Sequence, residues 1–431
     1  MDHFRYESGN LRCEGMGMEE VAARFGTPTY VYSRATLEGH YDRIAGAFAE
    51  VKPLICYSVK SCPNVSVCGV LSARGSGMDV VSGGELARAL ASGCPSSRVV
   101  YAGVGKTDGE IVEALRAPGG PIGHFNIESE EEAEVVAGLA RREGKRASGL
   151  LRINPDVDPK THVYTTTGKK ETKFGVDLER ALAFFERFGR DQWLRLEGLH
   201  LHIGSPVYET GPYIAAVEKA LGLMDTLAGR GFRVDVLDLG GGFGADYETD
   251  RSPPATEYAR AIVPLLRERV AKGLRVILEP GRTISANAGV LLTRVLYVKE
   301  GGTKKFVICD AGMQTLLRPA LYGSFHFIWP VRPAAGMVPA RRAERMEMAG
   351  LVRCDVVGPI CESGDFLAKD REIPEVRRGD LLAVFTAGAY GMAMASHYNS
   401  HGLPAEVLVE GSEARLVRRR EGYEDLLAAE R

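Results

Sequence analysis

Pro53-Leu54-Ile55-Cys56-Tyr57-Ser58-Val59-Lys60-Ser61 is a short apolar run that ends on a cation. A run of this length, rich in β-formers, reads as a buried strand. Seven similar runs follow: Met78–Val81, Arg98–Ala102, Ile122–Asn126, Gly149–Ile153, Leu196–Ile203, Val234–Leu239 and Arg275–Glu279. Helical patterns lie between them, among them Gly84–Ser92, Ser129–Glu143, Leu178–Arg187, Tyr213–Gly229 and Ala255–Lys272. Eight βα units in succession predict an α/β fold, a parallel (β/α)8 barrel of the TIM type, over residues 36–283. An open doubly wound sheet is the competitor, and eight units in one run favour closure. Barrels keep their active sites at the C-terminal rim of the strands. Lys60 falls there, where a desolvated amine can act as a nucleophile. Taken alone, a solvated rim lysine is the stronger reading.

After Glu279 the rhythm changes to short, turn-separated β-rich segments: Val290–Val298, Lys305–Cys309, Leu351–Val357, Leu381–Phe385, Glu406–Val409 and Ala414–Val417. They predict a C-terminal antiparallel β-sandwich or barrel over 284–431, joined by residues 1–35 through Tyr30-Val31-Tyr32. Pro330–Glu344 reads as a loop.

The chain has 431 residues, enough for two domains, with ordinary apolar (45%) and charged (26%) content. A net charge of −2 provides no basic field for nucleic acid. No apolar run approaches the ~20 residues of a membrane span. Residues 1–7 lack the basic start and apolar segment of a signal peptide, so a cytoplasmic location is expected. Eight scattered cysteines without a Cys-x-x-Cys pair fit reduced thiols, and neither a disulfide framework nor a zinc site is expected.

Five motifs carry chemistry. Gly240-Gly241-Gly242-Phe243-Gly244 follows the seventh strand, where barrels bind phosphate, and bare backbone N–H groups suit an anion. A tight turn is the plainer reading, yet four glycines in five exceed what a turn requires. Glu279-Pro280-Gly281-Arg282 ends the eighth strand with a carboxylate and a guanidinium suited to a bidentate contact. A structural ion pair is its alternative. His200-Leu201-His202 places two imidazoles on one strand face, as a metal pair, a ring-stacking group or core histidines. No third and fourth ligand stands out, and no metal is expected. Cys361-Glu362-Ser363-Gly364-Asp365 joins a thiol to two carboxylates, as a proton-donating loop or an acidic surface turn. Ala387-Gly388-Ala389-Tyr390-Gly391 lets a phenol approach a ligand closely, or makes a packing corner.

In their order, these motifs resemble the fold-type III pyridoxal-phosphate decarboxylases over nearly the whole chain. The resemblance is carried by Tyr57–Lys60, Asp79–Leu86, Arg152–Pro155 through His162 to Thr167-Gly168, Lys173–Gly175, His202–Ser205, the glycine loop, Glu279–Arg282, Arg318–Tyr322 and Cys361–Asp365. It implies pyridoxal 5'-phosphate as cofactor, held covalently by Lys60 in a site that includes Asp79. His202 would stack on the ring and Glu279 would pair with its nitrogen. Ser205, Gly241, Gly242, Gly281, Arg282 and Tyr390 would hold the phosphate. Arg282, Arg318, Tyr322 and Tyr390 would bind substrate at its distal carboxylate, and Glu362 at its distal ammonium. Cys361 would donate a proton across a homodimer interface. The activity implied is decarboxylation of meso-2,6-diaminopimelate to L-lysine, the last step of lysine biosynthesis.

Two positions depart from the family pattern: Pro206 stands where glutamine is common, and Phe325 where tyrosine is common. Related decarboxylases of ornithine, lysine or carboxynorspermidine are the nearest rivals. Cys361-Glu362-Ser363-Gly364-Asp365 favours a substrate with a distal carboxylate. Alanine racemase shares the barrel but carries arginine at the ring nitrogen, and Glu279 speaks against it. A non-catalytic cofactor-binding regulator is expected to lose Lys60 or Cys361, and both are present. A metal-dependent barrel hydrolase is the remaining alternative.

Overall fold

The computed structural model describes residues 2–158 and 173–430, so His162, Thr167 and Gly168 of the resemblance lie outside the described residues. The chain divides into two compact units. One comprises His40–Gly244 and Ser252–Thr283; the other comprises Met1–Gly39, Ala245–Arg251 and Ile284–Arg431.

The first unit is a closed parallel barrel. Its strands are β1 (Leu54–Ser58), β2 (Gly77–Val80), β3 (Val99–Tyr101), β4 (His124–Ile127), β5 (Ala147–Asn154), β6 (Leu194–His200), β7 (Val236–Asp238) and β8 (Arg275–Leu278). Each pairs in parallel with the next, and β8 returns to β1 through Ile277↔Leu54 and Leu278↔Ile55. Closure removes both sheet edges, which decides against the open sheet.

The returning helices start where short polar side chains satisfy free N–H groups. Ser82 caps Gly83–Ala91, Ser129 caps Glu130–Glu143, and Thr107 with Glu110 forms a capping box on Asp108–Leu115.

The barrel interior is layered. Cys56 on β1, Val100 on β3, Leu150 on β5 and Val236 on β7 form one buried apolar cluster with Ile277. Alternate strands contribute alternate layers in such barrels. The even strands also contribute buried polar side chains: Asp79 on β2, Asn126 on β4, His200 on β6 and, one residue past β8, Glu279, joined by Asp238 at the end of β7.

The second unit is a mixed sheet. Gly289–Gly301 is its spine, pairing antiparallel with Thr29–Ser33, Lys304–Cys309 and Leu381–Val384. The expected antiparallel pattern has two exceptions. Lys304–Cys309 runs parallel to Leu351–Val357, and Thr29–Ser33 runs parallel to Ala405–Glu410. The second parallel pair ties the N-terminal segment into the sheet. Phe366–Pro374 is a further strand beside Leu351–Val357 that its charged centre, Lys369-Asp370-Arg371, hides from a periodicity reading. Asp246 is bound into this unit by Asn287 Nδ2 at 2.7 Å and Thr386 Oγ1 at 3.2 Å, both donating to its carbonyl.

Candidate active site

Lys60 lies in the turn Val59–Ser61 directly after β1, and its Nζ meets the Asp79 carboxylate. Ser58 Oγ donates to the same Asp79 oxygen at 2.6 Å, while Asp79 Oδ1 is buried without a partner. Burial and the facing Glu279 push Asp79 above the ordinary carboxylate value, against the pull of the Lys60 cation. Glu85 follows on the same rim. Burial raises its carboxyl to about 7, although Lys60 and the Val81 N–H oppose the shift.

Glu279 is the centre of the polar layer. Asn126 Nδ2 donates to Oε1 at 3.1 Å, and His200 Nε2 lies 3.3 Å from Oε2. Donor atoms of His200, Asp238 and Glu279 all lie within 4.8 Å of one another. Burial and the neighbouring Glu279 push Asp238 well above its ordinary value, so Asp238 keeps its proton. Burial also opposes charge on Glu279, yet His200 and Lys60 hold it well below the carboxylate range, so it is ionised. Two carboxyls this close share one proton, and their environments decide which one carries it. The trio is thus internally compensated: a protonated acid, an ionised acid and an imidazole, with an amide donor alongside.

The two histidines of the His200-Leu201-His202 motif part company, because β6 ends at His200. His200 turns to Glu279, whereas His202 Nδ1 faces the Gly241 N–H at 3.4 Å. Burial, with the Arg152 and Lys60 charges, holds His202 down at about 3, so it is a neutral ring.

The glycine loop needs its glycines. Gly240 has φ +65°, and a Cβ at Gly241 would collide with the Glu279 carbonyl oxygen. Backbone here passes directly beside the end of β8, as Glu279 N donating to Gly240 O at 2.8 Å shows. Arg282 Nε donates to Ser205 Oγ at 3.3 Å. Beyond Pro206 the Val207 N–H donates to Gly242 O at 2.8 Å, linking that segment to the glycine loop. Gly281 fits tightly against Ser58 and Ser61.

This rim provides an amine, an ionised carboxylate, a neutral imidazole and a bare glycine loop. These donors match the needs of pyridoxal phosphate: a carrier amine, an anion for the ring nitrogen, a ring to stack on and N–H groups for phosphate. The orphaned Asp79 Oδ1 beside Lys60 supports the fit.

In the second unit, Arg318 opens the short helix Arg318–Tyr322 and is buried. Its guanidinium lies over the rings of Tyr247 (5.4 Å), Tyr322 (5.7 Å) and Tyr390 (6.0 Å), and Nη2 donates to Ser324 Oγ at 3.1 Å. Tyr390 has φ +55° and, like Phe325, packs against the buried cluster of Ala245, Tyr247, Ala286 and Ala389. The Arg371 guanidinium lies over the Phe325 ring at 4.3 Å. Cys361 is the exposed thiol; the other seven cysteines are buried. Glu362 is exposed beside it, and Tyr398 Oη donates to Glu362 Oε2 at 2.6 Å.

Asn126, Asp238, Tyr247 and Tyr398 carry no motif in the sequence and join these sites only through folding. The available signal was a polar residue at the end of an apolar strand, at Asn126 and Asp238.

Comparison with known proteins bears on the same residues. The model of the pyridoxal-dependent decarboxylase family, pyridoxal binding domain, matches residues 34–286. The diaminopimelate decarboxylase of Pseudomonas aeruginosa is 46% identical over 431 residues, covering 100% of this chain and 99% of that protein. The chain belongs to the diaminopimelate decarboxylase family. The Aquifex aeolicus member is 44% identical, over 98% of this chain and 96% of its own. Among solved structures, the diaminopimelate decarboxylase of Helicobacter pylori complexed with L-lysine is similar at TM-score 0.88 and 38% identity, covering 96% of this chain and 98% of that one. Family membership makes the chain a pyridoxal-phosphate-dependent decarboxylase.

Proposed function

We propose that this enzyme decarboxylates meso-2,6-diaminopimelate to L-lysine in lysine biosynthesis. The observation that carries the reading is the barrel rim, where Lys60, ionised Glu279, neutral His202 and the glycine loop offer every group the cofactor needs. Names of the relatives support the substrate, and the lysine bound in the Helicobacter pylori structure matches the product.

In this reading Lys60 holds the cofactor, with Asp79 steering its amine. His202 stacks on the ring, and Glu279 pairs with the ring nitrogen. Ser205, Gly241, Gly242, Gly281, Arg282 and Tyr390 hold the phosphate. The bound cofactor supplies an electron sink for the carbon that loses CO2. Asn126 and His200 keep Glu279 aligned and ionised, and Asp238 keeps the shared proton off it. Arg282, Arg318, Tyr322 and Tyr390 receive the distal carboxylate, and Glu362 the distal ammonium. A substrate lacking the distal carboxylate leaves buried Arg282 and Arg318 without that counter-charge, which is how the site selects against it. Cys361 returns a proton to the α-carbon. We propose further that the enzyme is a cytoplasmic homodimer whose active sites are shared, with Cys361 of the partner subunit completing each one. Seven buried free thiols favour a reducing compartment, and among the described residues no helix is long and apolar enough to cross a membrane.

The test is spectroscopic. Purified protein with added pyridoxal phosphate is expected to show a visible absorption band that Lys60→Ala abolishes. Wild-type protein without that band would sink the reading.

A further inference from the structure

The turn Tyr398-Asn399-Ser400 has no role in the proposed function, yet it grips both reactive residues of the Cys361 loop. Tyr398 Oη donates to Glu362 Oε2 at 2.6 Å. Asn399 Oδ1 accepts the Cys361 N–H at 2.8 Å. We propose that Tyr398 and Asn399 are positioning residues: they fix the Cys361 thiol and the Glu362 carboxylate at a set spacing, and so govern proton return and recognition of the distal ammonium. The inference rests on the roles proposed above for Cys361 and Glu362.

Three observations carry it. First, Cys361, Glu362 and Ser363 are all exposed, so packing does not hold them. Without a clamp, side chains on such a loop sample several rotamers, and a loosely held catalytic group loses rate. Second, the turn is built at a conformational cost. Asn399 and Ser400 sit at φ +52° and +57° in the left-handed region. Residues with a Cβ stay there only where their surroundings over-determine it, and asparagine tolerates it best. The surroundings do so here. Ser400 N donates to His397 O at 2.7 Å, and Ser396 N donates to Gln314 O at 2.9 Å. The His397 ring meets Glu421 at 2.6 Å, and Glu421 also accepts the Leu403 N–H at 3.0 Å and an Arg418 N–H at 2.8 Å. Third, the far end of the loop is anchored independently. Buried Asp365 accepts the Met313 and Ile360 N–H groups, both at 2.6 Å. With Asp365 fixing one end and Asn399 the other, the thiol and carboxylate have little freedom left. The Glu362 carboxylate also raises the Tyr398 phenol above its ordinary value.

The experiment uses the full-length holoenzyme and three variants. Tyr398→Phe removes one hydroxyl. Asn399→Gly keeps the left-handed backbone and removes the acceptor. Asn399→Asp keeps an acceptor in a residue that tolerates the conformation. All three should retain the cofactor absorption band. Loss of a hydrogen bond to a charged group should raise KM for diaminopimelate about tenfold in Tyr398→Phe, with kcat nearly unchanged. Asn399→Gly should lower kcat about tenfold with KM nearly unchanged, and Asn399→Asp should restore most of it. Equal losses in Asn399→Gly and Asn399→Asp would overturn the acceptor role. Unimpaired Tyr398→Phe and Asn399→Gly, beside impaired Cys361→Ala and Glu362→Gln, would overturn the inference alone. Wild-type turnover in Cys361→Ala would overturn the underlying reading and the inference with it.

Discussion

The polar layer of the barrel and the Cys361–Asp365 loop both present ionisable groups, and they hold them by opposite means. In the barrel, Asp79, Asn126, His200, Asp238 and Glu279 are buried, so each charge must find a partner or lose its proton. The result is a cluster in which His200 and Lys60 keep Glu279 ionised beside an Asp238 pushed well above its ordinary value. In the loop, Cys361 and Glu362 are exposed to water, and the problem is placement. There the chain uses hydrogen bonds from Tyr398 and Asn399 and the anchor at Asp365. Burial sets protonation in one region; local backbone geometry sets position in the other. A substitution in the barrel should therefore alter cofactor chemistry, and one in the loop should spare the cofactor.

Lys60→Ala should be the most damaging change, removing both the cofactor band and turnover by on the order of 10⁴-fold, read by absorbance and CO2 release. Cys361→Ala should separate the regions: the cofactor band stays while kcat falls on the order of 10²–10⁴-fold. A lost band in Cys361→Ala would break the comparison. Glu279→Gln keeps the shape and removes the charge, and should lower kcat by about 10²–10³-fold with a shifted band. An unchanged band and rate would show that the ionised carboxylate is not used.

The smallest effect is on stability. His202 is held at about 3 in the fold against 6.5 ordinarily. Below pH 6.5 the unfolded chain takes up a proton that the folded chain refuses, so this group's contribution falls as pH drops from about 6.5 towards 3. The slope for one proton is at most about 1.4 kcal/mol per pH unit. Denaturant unfolding of the cofactor-free protein should show it, and His202→Asn should flatten it. An identical slope in that variant would mean His202 is not the refused proton.

The barrel was legible because eight apolar runs separated by helical patterns leave little choice but closure. Lys60, Asp79, His202 and Glu279 were legible because motifs surround them. The rest of the polar layer was not, since Asn126 and Asp238 are single polar residues at the ends of apolar strands. Only closure brings the even strands' inward positions together, and that places Asn126 and His200 on Glu279. The period-two reading put His200 and His202 on one face, but β6 stops between them and their partners differ. In the second unit the strands were visible, but the parallel pairings were not, because strand order depends on partners far apart in sequence. Tyr398 was illegible for the same reason, lying 36 residues from Glu362.

Side-by-side turnover of meso-diaminopimelate, ornithine and lysine by the purified holoenzyme tests the central claim most directly. The account predicts CO2 and L-lysine in equal amounts from diaminopimelate and negligible CO2 from the other two. Release of CO2 from lysine or ornithine, with diaminopimelate left intact, would contradict it.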